Sequence, residues 1–115
     1  MAWDDVSRWQ PVDLYASFRM GDGVQPVDVR DLTYREAEAQ IKGSLRIDPM
    51  EFESAIAGLP EGRELVFYCE RPGEATSLKI AMWAFDQGRQ RVGVILGGWP
   101  AWKDAGYPVE PIPSD

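Results

Sequence analysis

"ELVFYCERPGEATSLKIAMWAFDQG", residues 64–88, changes periodicity across a short turn. After Glu64 its next five residues are apolar and rich in β-formers, which suits a central strand of a parallel sheet. Leu78, Ala81, Met82 and Phe85 then recur three to four apart, which predicts a core-facing helix stopped by Gly88. Strand, turn and helix in that order form the unit of an α/β sheet. Cys69, the single cysteine of the chain, falls where the strand ends.

The same alternation continues on both sides. "QPVDVRD" (25–31) predicts a short strand through Val27 and Val29, and "TYREAEAQI" (33–41) a helix, with Thr33 and Glu36 at capping-box spacing and Gly43 at its end. "SLRID" (44–48) predicts another strand. "DPMEFESAIAGL" (48–59) predicts a helix with Asp48 as cap, Pro49 in the first turn and Phe52, Ile56 and Leu59 on its core face. "RVGVIL" (91–96) is the next strand. "GGWPAWKDAGYPV" (97–109) turns on Gly97 and Gly98, forms a short helix between Pro100 and Gly106, and ends extended through Pro108 and Val109. The tail "PIPSD" has too little apolar content to fold alone. The expected fold class is α/β, a short parallel sheet of about five strands with helices on both faces.

A chain of 115 residues predicts one domain, 1–115, and its 44% hydrophobic and 27% charged content is that of a globular protein. The net charge of −7 works against binding nucleic acid or an anionic membrane, both of which need a cationic surface. No apolar run approaches the roughly 20 residues of a membrane span, and "MAWDDVSRWQ" lacks the marks of a signal peptide, so a cytoplasmic protein is expected. One cysteine excludes an internal disulfide framework. With no histidine, neither a zinc site nor a Ser-His or Cys-His relay is expected, and no metal or cofactor is assigned.

Cys69 therefore stands at the carboxyl end of a buried strand, the edge where open α/β sheets bind ligands. Pro72 and Gly73 favour a tight turn whose backbone N–H groups can converge on one atom. The positive end of the following helix and the charge of Arg71 favour a thiolate, while Glu70 and Glu74 oppose it. The alternative is an inert core cysteine. Arg71 is either a solvated charge or the group that orients an anionic substrate, and Glu74 suits a helix start. Asp28 and Arg30 suit a structural pair supporting the loop's base; Trp102 suits packing, and Trp99, beside Gly98, either packs or borders the site.

Four separated motifs resemble the rhodanese family over about residues 10–110. "VDVRD" resembles its D-V-R element, "AQIKGSLRID" occupies the place of its G-H-I-P-G-A segment, "VFYC" ends where its catalytic cysteine stands, and "ILGGWPAWKDAGYPV" is similar to its G-G-x-x-A-W-x-x-A-G-x-P-V ending. The chain departs from the family at two places. Gln40 and Lys42 flank Ile41 where the family has histidine and proline. The loop Cys69-Glu70-Arg71-Pro72-Gly73-Glu74-Ala75-Thr76-Ser77 replaces the common C-R-x-G-x-R-S and is similar to a variant C-x-C-P-x-E-A-[ST], with Arg71 in place of the second cysteine.

The resemblance implies rhodanese topology and sulfur transfer through a persulfide on Cys69, cradled by the N–H groups of Glu70, Arg71, Pro72–Gly73, Glu74 and Ala75. Proline itself contributes no N–H to such a cradle. The implied donor is thiosulfate, a polysulfide or a protein persulfide, and the acceptor a thiol or cyanide. In the family Asp28 and Arg30 would be mainly architectural. Two other functions are weighed beside it. A cysteine phosphatase of the same architecture needs C-x5-R, and Ala75 stands where that arginine belongs. A non-catalytic binding module would leave Cys69 vestigial.

Overall fold

The computed structural model describes residues 5–37, 39–70 and 75–113. Strands β1 (Ser7–Trp9), β2 (Gln25–Asp28), β4 (Leu45–Arg46), β5 (Leu65–Tyr68) and β6 (Val92–Ile95) form one sheet in the order β1-β6-β5-β2-β4, and every neighbouring pair is parallel. The helices are α1 (Pro11–Met20), α2 (Phe52–Ala55), α3 (Ala75–Asp86) and α4 (Gly98–Asp104). A separate antiparallel ribbon pairs β3 (Ala39–Ile41) with β7 (Val109–Pro111). Among the described residues no helix is long and apolar enough to cross a membrane.

Strand alternation builds two cores from one strand. Successive side chains of β5 point to opposite faces. Leu65, Phe67 and, just beyond the strand, Cys69 pack with Phe52, Ile56, Ile80, Ala81 and Ala84 from the α2 and α3 side. Val66 and Tyr68 pack instead with Leu14, Ile95, Trp99 and Trp102 from the α1 and α4 side. The expected helices on both faces are therefore present, and the parity of β5 directs Cys69 toward α3.

Three segments differ from the sequence expectations. Residues 33–41 do not form one helix: a 3-10 turn spans Leu32–Ala37, and Ala39–Ile41 is strand β3. Helix propensity is overridden here by tertiary bonds, since Ala39 O accepts from Arg30 Nη2 at 3.0 Å and the strand pairs with β7. Asp48 does not cap a helix. Its Oδ1 accepts from Met50 N at 2.9 Å, a local turn that delays helix α2 to Phe52, and α2 passes into a 3-10 turn at Ile56–Gly58. On α3 the deepest residues are Ser77, Ile80, Ala81 and Ala84, with Leu78, Met82 and Phe85 partly buried on the flanks. Small residues at the contact allow the helix to lie close to the sheet, and the longer chains drape beside it.

β1 and α1 are elements beyond those the sequence pattern predicts. α1 begins as first turns do: Pro11 occupies the first helical position and Gln10 N donates to Asp13 Oδ2 at 3.0 Å.

Candidate active site

Cys69 follows β5 directly and is 6% exposed. Its carbonyl accepts from Trp99 N at 2.9 Å, which ties the end of β5 to the start of α4. That start depends on Gly97. Its φ of +79° is a left-handed conformation, and a Cβ on it would lie 2.6 Å from the Ala101 Cβ. Strain and collision act together, so Gly97→Ala is expected to cost about 3 kcal/mol. Urea unfolding is the measurement, and a loss below about 1 kcal/mol would show that α4 can shift freely.

The Cys69 thiol faces the first turn of α3, with its Sγ 3.6 Å from Ser77 Oγ, and Ser77 is fully buried. Ser77 was missed as a site residue; a polar side chain one turn into a core-facing helix was the available signal. A cleft of about 630 Å³ opens over the thiol. Phe52, Val29 and Ile80 give it an apolar wall, while Glu70, Asp31 and Lys79 give it charge. Met50, 81% exposed, stands at its rim.

Behind Cys69 lies a buried charge cluster. Arg30 and Asp28 are both 0% exposed. Arg30 Nε and Nη2 form a fork on Asp28, the shortest contact being Nη2 to Oδ2 at 2.7 Å, and Arg30 N donates to Asp28 Oδ1 at 2.9 Å. Arg46 Nη1 reaches Asp28 Oδ1 at 3.4 Å and donates to the Arg30 carbonyl. The Arg30 guanidinium lies 4.6 Å from the Trp99 ring centroid and 5.7 Å from that of Tyr68. Burial works to lower the Arg30 pKa, but the hydrogen bonds and charge of Asp28, with Glu70 adding, outweigh it and hold the guanidinium above its ordinary value. Burial first, and then the Asp28 charge, raise the Tyr68 phenol above its own. Ser44 Oγ already donates to Ile41 O at 2.6 Å, so the Tyr68 hydroxyl donates to Ser44 at 2.8 Å and accepts from Ile41 N at 3.2 Å.

The structure thus brings Cys69 and Glu70 into one cleft and sets Asp28 and Arg30 beneath it. Glu70 Oε2 lies 3.8 Å from Arg30 Nη1. Arg71, Pro72, Gly73 and Glu74 lie outside the described residues, and Ala75 enters as the first residue of α3. Trp99 is 3% exposed and belongs to the core; its ring covers Arg30. Gln40 is buried, its Nε2 donating to Glu110 Oε2 at 2.7 Å.

Residues 11–105 match the family model of the rhodanese-like domain. Among curated proteins no sequence matches the chain. Of solved structures, one from Rhodopseudomonas palustris, a protein of unknown function described as a possible tyrosine phosphatase, is 30% identical with a TM-score of 0.80, over 93% of this chain and 86% of that one. A rhodanese-related protein from Thermoplasma volcanium is 20% identical with a TM-score of 0.76, over 90% of this chain and 97% of that one. A thiosulfate sulfurtransferase from Pseudomonas aeruginosa, also 20% identical with a TM-score of 0.76, is matched over 92% of this chain and 19% of that one.

Proposed function

The chain belongs to the rhodanese-like domain family, and from that premise we propose that it is a sulfurtransferase carrying sulfane sulfur on Cys69. The Cys69 thiolate attacks the sulfane sulfur of a donor such as thiosulfate, a polysulfide or a protein persulfide. A bond forms between Cys69 Sγ and that sulfur, the donor's S–S bond breaks, and the electron pair leaves with sulfite or a thiolate. A thiol or cyanide then attacks the outer sulfur, and Cys69 departs as thiolate. Two covalent half-reactions predict ping-pong kinetics.

One observation carries this reading: the thiol stands past the end of β5, at the floor of the cleft and facing the first turn of α3. The positive end of α3 stabilises a thiolate or persulfide anion there, and the Ser77 hydroxyl is within reach to donate to it. Incubation with a donor followed by intact-mass measurement is the test. A gain of one sulfur atom, removed by cyanide, is the expected result. No gain with any donor would move the reading to a binding module.

A phosphatase reading is favoured by one neighbour, the possible tyrosine phosphatase of R. palustris. Against it, Ala75 occupies the sixth position after Cys69, so no arginine stands there to clamp a phosphoryl group. Cys69-dependent hydrolysis of an aryl phosphate would reverse that preference.

A further inference from the structure

Arg30 has one guanidinium nitrogen to spare. Nε and Nη2 are engaged by Asp28 and the Ala39 carbonyl, whereas Nη1 is buried with no hydrogen-bond partner among the described residues. Glu70 Oε2 is the carboxylate oxygen facing it, at 3.8 Å. Arg30 is fully buried and pinned by its fork, so its attraction holds Glu70 Oε2 toward it, at the edge of the cleft that Cys69 also lines. The cations Arg30 and Arg46 stand behind, against Asp28, while Glu70 is 43% exposed and lines the cleft in front. Asp31 lines the same cleft, and Lys79 stands with its Nζ 5.6 Å from the Phe52 ring centroid.

We propose that Glu70, held by Arg30, selects sulfur donors by charge, disfavouring dianionic thiosulfate and favouring the ammonium-bearing persulfide of a small aminothiol. This rests on the sulfur-transfer reading above. An aminothiol carries an ammonium a few bonds from its sulfur, where Glu70 attracts it, whereas the sulfonate end of thiosulfate meets repulsion at the same place. In the favoured half-reaction the Cys69 thiolate attacks the outer, protonated sulfur of the persulfide. The new bond joins Cys69 Sγ to that sulfur, the proton stays with it, and the aminothiolate leaves with the electron pair.

The test compares loading rates of thiosulfate and cysteamine persulfide, read by intact mass, in wild type, Glu70→Gln and Asp22→Asn. The last variant makes the same change in net charge from an exposed position at the end of α1. Glu70→Gln is expected to raise the thiosulfate-to-persulfide ratio about tenfold at low salt, an effect that shrinks near 1 M salt. Asp22→Asn should leave the ratio where it was. Arg30→Lys, which keeps the charge but cannot fork Asp28 and reach Glu70 together, should move the ratio the same way by less. A ratio unchanged in Glu70→Gln, or shifted equally by Asp22→Asn, would overturn the inference while sulfur transfer stands. An absence of sulfur on Cys69 with every donor would overturn the sulfur-transfer reading and this inference with it.

Discussion

Cys69→Ser is expected to reduce sulfur transfer to the uncatalysed background, a loss on the order of 10⁴-fold, while leaving the protein folded. A serine hydroxyl is far less acidic than a thiol and cannot carry a sulfane sulfur, so neither half-reaction survives. The fold should tolerate it, because Ser77 Oγ lies beside the position and can pair with the new hydroxyl. A stability change within about 1 kcal/mol is the accompanying expectation. Steady-state turnover and urea unfolding on the same sample separate the two effects. Retained turnover in the serine variant would remove Cys69 from the chemistry.

Arg30→Met should do the reverse and act chiefly on stability. Asp28 is fully buried, and without Arg30 its remaining cation among the described residues is Arg46 at 3.4 Å. Breaking a buried pair from one side leaves an uncompensated charge, at a cost of about 3–5 kcal/mol. That is a large part of the 5–15 kcal/mol typical of a domain. The double variant Asp28→Asn/Arg30→Met should recover part of the loss, because an amide is cheaper to bury than a carboxylate. Urea midpoints at unchanged slope measure both, and a single variant within 1 kcal/mol of wild type would show that water reaches Asp28.

What could be read from the sequence follows the range of the forces involved. The run Leu65–Tyr68 and the helix after it are decided by local apolar pattern, and with them the place of Cys69 at a strand end. The Gly97–Ala101 contact is equally local, and its glycines marked the turn. Residues 33–41 were misread because Arg35, Glu36 and Ala37 favour helix, while the bonds that make β3 come from Arg30 and from β7 near the far end of the chain. β1 was missed because three residues, two of them exposed, carry little pattern of their own. Ser77 was passed over because hydrophobic spacing does not register a polar residue on the buried face. The approach of Glu70 to Arg30 spans two strand ends that only the sheet order brings together.

The ribbon of β3 and β7 also governs when the molecule can finish folding. Gln40 and Glu110 are 70 positions apart in sequence, and Glu110 Oε1 also accepts from Gly43 N at 2.9 Å. β1, at the other end of the chain, waits for β6. During synthesis, then, β1 emerges unpaired, and the contacts of the β3–β7 ribbon form only once β7 has left the ribosome. Such long loop closures slow folding relative to a helical bundle of equal size. A nascent chain stalled with Gly106 at the tunnel exit should be digested rapidly by protease, and one released after Pro113 should resist. Protection of the shorter chain would show that the ribbon is an ornament to a fold already complete.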